Sequence, residues 1–487
     1  MQASRLVRFI EQLSKKKREK FLLFVQSPYF NQHAKTTELL QIIMANLKKK
    51  RAKALEKEAV FKQLFPNETY NEQQLHNIMS SLKKLFNRFV AVQCLEDQDF
   101  HEQLFLLEAA AKQNQADLLK NRGNQLKKTL DRTVHKDSSY LYARYRMNKI
   151  LGFFVAEYED RTGSNILQRM IDNFNNFFIA ETLENCCHLR ANMIMFNSQF
   201  DFQFLDKLLI YLEENWDIYE KIPTIELYYT ILKSLMNENE PKHYEHLKEI
   251  LNQKTDLLSS KEGYDLYRFA YNYCIQRINL GHRDYLVELF DLYKKGLEIG
   301  LIFNNGILSE WDYKNITTLG CNLKEFEWTK NFIEEFNVKL TPSRQENAYK
   351  FNMANLYHNQ KQFDKTLELL IDVEFPDLTY QLNTNFLILR TLYAMNNTES
   401  CLSRVESFRI YIMRNKKMTT DQKRGYTNFL RFAKKLVLLR HQYYTYSEKT
   451  FSEKRQALKQ KIDATENVIN KFWLIEELDK IESSVLA

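Results

Sequence analysis

Breakers are scarce in this chain: ten glycines and six prolines in 487 residues, about 3% of the sequence where an average protein carries roughly 12%. A multi-stranded β protein or a doubly wound α/β enzyme of this length needs many tight turns and positive-φ positions, which this composition cannot supply. No two glycines stand closer than four residues. The G-x-G-x-x-G loop is therefore excluded, the one glycine pair at G-x-S-x-G spacing, Gly296 and Gly300, has Glu298 in place of the serine, and the five-residue glycine spacing of a P-loop is missing too. No Cys-x-x-Cys occurs: Cys94, Cys186, Cys187, Cys274, Cys321 and Cys401 are scattered, with one adjacent pair. That pattern fits neither a zinc ribbon nor a dithiol redox centre, and reduced core cysteines are expected. No apolar run approaches the ~20 residues of a bilayer span. Met1 to Leu13 lacks an apolar signal core and a small-residue cleavage site, so a cytoplasmic protein making no membrane contact is expected.

What the chain does contain is apolar and aromatic surface. A hydrophobic fraction of 44%, including 34 Phe, 27 Tyr and 4 Trp, fills a sizeable core, and 27% charge wets the exterior; global disorder is excluded. The charge is placed unevenly. Residues 1–93 hold 18 Lys/Arg against 7 Asp/Glu, a net +11, leaving 52 against 55, or −3, for the rest. The chain reads as three parts: a basic helical module at 1–93, paired amphipathic helices at 94–445, and a capping helix at 446–487.

In the module, Phe9, Ile10 and Leu13 form one apolar stripe. Phe21, Leu22, Phe24 and Val25 form a second, stopped at Ser27-Pro28 because the residue before proline leaves the α region. Further stripes cover Leu39 to Leu47, Val60 to Phe65, and Leu75 to Val90, the last opening at Asn71 as N-cap. Beyond Phe100 helices recur in pairs of similar length. Thr224–Met236 precedes His243–Leu258, Tyr264–Leu280 precedes Tyr285–Ile299, and Leu308–Leu319 precedes Phe326–Phe336. Gln345–His358 precedes Phe363–Val373, and Asn385–Met395 precedes Ser400–Met413. Pro223, Pro241, Gly263, Gly300, Gly306, Pro342 and Pro376 mark the expected pair boundaries. Two long closing helices are expected at Thr420–Arg440 and Glu453–Ile481. Such periodicity predicts an all-α stack of hairpins that bury their faces against one another.

The hairpin at 347–373 resembles a tetratricopeptide repeat. Ala354 stands at its small helix-A position, with Met353 before it and Tyr357 three residues on. Phe363 opens helix B, Leu370 and Val373 follow on its inner face, and Pro376 sits near the end. The next unit repeats the pattern with Phe386, Leu389 and Tyr393. The resemblance implies a right-handed α-solenoid with a groove that holds a peptide, in which Asn352 and Asn355 face the ligand. Leu387, Ile388 and Thr391 of the next unit replace the basic residues of the family's carboxylate clamp. The box Phe21 to Asn31, with its Ser27-Pro28-Tyr29-Phe30-Asn31, also resembles the N-terminal module of uncharacterised bacterial helical-repeat proteins of about 500 residues, which implies no activity.

Two histidine arrangements have metal-compatible spacing, His243 with His246 and Glu184 with His188 beside the cysteine pair, but no third ligand is indicated, so surface or structural histidines and no metal site are expected. The tyrosines at 228–229, 264, 267, 271, 273, 443, 444 and 446 have the spacing of inter-hairpin core. The basic clusters carry the clearest polar signal. Lys15, Lys16, Lys17 and Arg18, then Lys48, Lys49, Lys50 and Arg51, then Lys83, Lys84 and Arg88 would attract a phosphate backbone through a salt-dependent field. The sequence therefore points first to a non-enzymatic scaffold that binds a protein partner without a cofactor, and second to a nucleic-acid-associated regulator acting through residues 1–93. The second reading predicts that nucleic-acid binding weakens steeply with added salt and disappears when Lys48 to Arg51 and Lys83, Lys84 and Arg88 are reversed in charge. Undetectable binding at low ionic strength excludes it.

Overall fold

A computed structural model describes residues 4–48, 56–97, 100–158, 164–196, 199–236, 242–253, 258–371 and 378–483. Among these the chain forms 24 α-helices and no strand, apart from one isolated bridge between Asn304 and Ile307. None of the described helices is long and apolar enough to cross a membrane. Contacts divide the chain into two compact units, Met1–Thr182 with Asn215–Ile225, and Leu183–Glu214 with Glu226–Ala487.

In the first unit, α1 (Arg5–Gln12), α2 (Lys15–Gln26), α3 (Ala34–Lys48), α4 (Lys57–Leu64) and α5 (Glu72–Glu96) enclose a core of their own. Ser4, Ser14 and Asn71 cap α1, α2 and α5 by accepting backbone N–H groups with their side chains, each such cap being worth about 1 kcal/mol. Phe21 is fully buried against Phe86 at 5.4 Å and Phe89 at 5.1 Å. The Ser27-Pro28-Tyr29-Phe30-Asn31 box is the hinge between α2 and α3. Asn31 Nδ2 donates to the Val25 carbonyl at 2.9 Å and to Thr37 Oγ1 at 3.1 Å, while its Oδ1 accepts from His33 N at 3.0 Å. Phe30 stacks on Phe24 at 4.0 Å, so the box ties two helix ends together. The α5 helix runs through the expected boundary at Gln93 as far as Glu96. The unit continues with α6 (His101–Lys112), α7 (Ala116–Arg132), α8 (Ser138–Tyr158) and the first part of α9 (Ser164–Phe196).

Of the next helices, α10 (Leu205–Glu214) belongs to the second unit, α11 (Trp216–Tyr219) to the first, and α12 (Pro223–Met236) opens on the expected proline, whose missing N–H costs nothing at a helix start. The second unit then pairs its helices. They are α13 (Lys242–Gln253), α14 (Ser260–Asn279), α15 (Tyr285–Glu298), α16 (Glu310–Asn322), α17 (Phe326–Phe336), α18 (Gln345–Asn359), α19 (Phe363–Ile371), α20 (Leu378–Ala394), α21 (Thr398–Arg414) and α22 (Thr420–His441). Each of α14 to α21 packs on the next, and α18 also packs on α16 and α20.

The turns inside the hairpins follow one design. Asn114, Gly281, Lys324, Lys361 and Asn396 all take positive φ, between 53° and 100°, and each stands two residues beyond the end of a helix. In every case the N–H of that residue donates three residues back and the next N–H donates five back, at 2.8–3.2 Å. This is the Schellman arrangement, which satisfies two carbonyls left without partners at a helix end. Four of the five positions are Asn or Lys, so few glycines are needed. Gly263, expected as a boundary, lies instead inside α14, where a Cβ would sit 2.8 Å from Leu301 Cδ1. Pro241 and Pro376 lie outside the described residues, as does Val373.

At the C-terminus the expected single helix over Glu453–Ile481 is two, α23 (Glu448–Asp463) and α24 (Lys471–Ser483). Asn467 and Asn470 take positive φ between them. Asn467 Nδ2 donates to the Asp421 carbonyl at 2.9 Å, and a Cβ on Gly425 would lie within 2.4 Å of Asn467 Oδ1. Val468 and Ile469 thus belong to a turn clamped against α22. The α24 residues Trp473, Leu474 and Leu478 share one core with α20 to α22.

A lysine at positive φ is strained by its Cβ, at a cost of about 1–2 kcal/mol. Lys361→Gly should raise the stability to denaturant by about 0.5–1 kcal/mol, after the extra freedom of glycine in the unfolded chain is allowed for. Lys361→Val should lower it, and equal midpoints for the two variants would contradict the turn geometry.

Candidate functional site

On the first unit a seam of exposed apolar side chains runs along α9. Leu167, Ile171, Phe174 and Phe178 are 41%, 43%, 37% and 41% exposed, and their spacing of four, three and four residues is that of a coiled-coil seam. At 100° per residue the seam lies on the side of the helix away from the buried Ile179 and Ala180. Phe174 and Phe178 stack at 6.0 Å. From α8, Tyr145 packs on Phe174 at 5.2 Å and Tyr142 on Phe177 at 5.3 Å, walling one flank. The flanking positions Gln168, Met170, Asn175 and Phe177 bear no charge. Large apolar side chains in such a row on a surface mark an interaction site.

The sequence spacing of these four residues reads equally well as core; only the packing of α8 and α9 leaves them outside. In the same unit, Phe153 is exposed beside a shallow groove of about 270 Å³ lined by Glu108, Arg146 and Lys149. Arg146 is ion-paired with Glu108 there.

The basic clusters lie in the N-terminal module. Lys15, Lys16 and Lys17 are exposed in the first turn of α2, which contains no acidic residue; positive charge at a helix N-terminus opposes the macrodipole. Arg18 is half-buried. Lys83 and Lys84 are exposed on α5, and the Arg88 guanidinium lies over the Phe30 ring at 5.1 Å. Since α2 and α5 cross at Phe21 and Phe86, both clusters stand within about two helical turns of one crossing point. Lys48 ends α3, and Lys49, Lys50 and Arg51 lie outside the described residues.

The two asparagines expected to face a groove are placed otherwise. Asn352 has no exposure, and its Nδ2 donates to the Ala348 carbonyl of its own helix at 2.8 Å. Asn355 is half-buried, and its Nδ2 reaches Thr318 Oγ1 of α16 at 3.4 Å. One turn on, His358 Nδ1 meets Thr391 Oγ1 of α20 at 2.9 Å. Asn355 and His358 thus join neighbouring helices, while Asn352 is spent within its own. Burial, and then the nearby Arg390, push the His358 imidazole down to about 3, so it stays neutral there.

Of the histidines with metal-compatible spacing, His246 faces Glu226 at 3.5 Å and Glu249 at 3.2 Å, and no third donor group joins His243 and His246 among the described residues. The Tyr stripe is core: Tyr228, Tyr267, Tyr271 and Tyr273 are buried, whereas Tyr444 stands 93% exposed. A cavity of about 460 Å³, open to solvent, is lined by Tyr393, Cys401, Arg440, His441 and Tyr444. Its arginine is engaged, Nη1 donating to the Tyr393 carbonyl at 2.9 Å. The Cys401 thiol is pushed up to about 11 by burial, which disfavours the nucleophilic thiolate. Comparison of the chain with known protein families, curated proteins and solved structures finds no match.

Five of the six cysteines are buried and Cys94 alone is exposed. Burial raises the thiols of Cys274 and Cys321 to about 12. A thiol-reactive dye should therefore label one cysteine promptly in the native protein and the other five only on unfolding. A second fast thiol would contradict this packing.

Proposed function

We infer that this chain is a cytoplasmic, non-enzymatic scaffold that binds a protein partner, its hairpins arranged as a tetratricopeptide-like solenoid. The observation that carries the reading is the exposed seam of Leu167, Ile171, Phe174 and Phe178 on α9. A partner helix with apolar residues at matching three- and four-residue spacing would fit it, in the helix-in-groove mode. Completing the burial of the four side chains is worth roughly 1 kcal/mol each, to which contacts along the rest of the partner helix must add to meet the cost of docking. The solenoid reading is supported by the sequential packing of α14 to α21 and by their shared turn, although of the asparagines of the expected groove Asn352 is buried and Asn355 half-buried.

A nucleic-acid-associated role for residues 1–93 is the second reading. Lys15, Lys16 and Lys17 favour it, because three exposed lysines held against a helix dipole are a local cost without structural return.

Capture from the native host, crosslinked and read by mass spectrometry, should return a reproducible protein partner. Ile171→Glu combined with Phe174→Glu should cut its recovery at least ~30-fold, the equivalent of about 2 kcal/mol, with helicity unchanged. The absence of any reproducible partner, or recovery unaffected by the double substitution, would count against the reading.

A further inference from the structure

The second unit holds a cluster of metal-binding groups that is independent of the α9 seam. Glu184 and His188 are four residues apart, hence one turn apart on the same face of α9. The fold brings Asp265 to them from the second turn of α14. One ligand atom from each of the three lies within 4.8 Å of the others, and His188 Nε2 is 3.7 Å from Asp265 Oδ2. Zinc bonds of about 2.1 Å in a tetrahedral site separate ligand atoms by about 3.4 Å, so small rotations close the set.

The surroundings are built around this set. The Glu184 and Asp265 side chains are each only 8% exposed. Asp265 is held by one long hydrogen bond, from the Tyr228 hydroxyl at 3.4 Å, and by the distant imidazole. A carboxylate so deeply buried ordinarily has closer partners. Tyr228 would orient the carboxylate from behind, as hydrogen-bonding groups around metal ligands do, and its own carbonyl accepts from Cys187 Sγ at 3.2 Å. His188, 45% exposed and beside the Phe269 ring at 5.4 Å, gives the entry path. Lys261 places its ammonium on Glu184 Oε1, with a side chain 64% exposed. A cation already occupies part of the position, carried on a stem that can withdraw into water.

We propose that Glu184, His188 and Asp265 form a binding site for a divalent transition-metal ion, zinc being the best match, with the Lys261 ammonium standing in for the metal when it is absent. One imidazole and two carboxylates leave a fourth coordination position open. The nitrogen donor favours zinc, manganese or iron over magnesium and calcium.

The test is equilibrium dialysis of the full chain against zinc sulfate alone, with magnesium chloride as the comparison arm. One zinc per chain is expected, with no uptake of magnesium. His188→Ala, on a half-exposed side chain, should weaken binding at least tenfold with helicity unchanged, and Asp265→Asn should do the same. Lys261→Ala should tighten it several-fold by removing the competing ammonium, a result that a merely structural ion pair would not produce. His246→Ala, outside the cluster, should leave it unchanged. No stoichiometric zinc, or zinc retained equally by His188→Ala, would overturn the site.

Discussion

In five helical hairpins the chain reverses on a single residue held in the left-handed region, and the packing that follows depends on that reversal. The residue supplies N–H donors to carbonyls at the end of the first helix and sends the second helix back along it. With the turn only a few residues long, little freedom remains in how the two helices meet. The helices therefore pack closely. A Cβ on Gly320 would fall 2.2 Å from Thr329 Oγ1, across the pair formed by α16 and α17. Neighbouring hairpins are then joined by polar contacts, Asn355 to Thr318 and His358 to Thr391.

Much of this was legible in the chain itself. The low glycine and proline content excludes sheets, and periodic apolar residues locate α14 to α19, α21 and α22 within a few residues of their observed ends, whereas α20 begins at Leu378, seven residues before the expected Asn385. What stayed hidden has physical causes. Asparagine tolerates the left-handed region but is also a common surface residue, and nothing in the identity of Lys324 or Lys361 marks them as left-handed; the strain there is imposed by packing on both sides. The break between α23 and α24 was hidden for the same reason, since two asparagines interrupt an otherwise continuous apolar pattern. Asn352 lies on a helix with apolar residues on several sides, so its burial depends on neighbours that spacing alone does not specify.

The candidate surfaces divide in the same way. Basic clusters can be counted from the sequence, and Lys15 to Lys17 and Lys83 to Lys84 are indeed exposed. The α9 seam could not be told from core, because exposure is a property of what fails to pack on a helix. Glu184 and His188 share a helix and have the spacing of metal ligands, but Asp265 is 77 positions beyond His188 and joins them only through the fold. Long-range convergence of this kind has no local signal.

That a partner helix docks on the α9 seam is tested most directly by site-specific photo-crosslinking in the native host. A photoreactive residue would be placed at Phe178 in one protein and at Tyr444, the far more exposed aromatic, in another. A discrete, reproducible protein adduct from position 178 and none from 444 is the predicted result. No adduct at 178, or the same adducts from both positions, would contradict it.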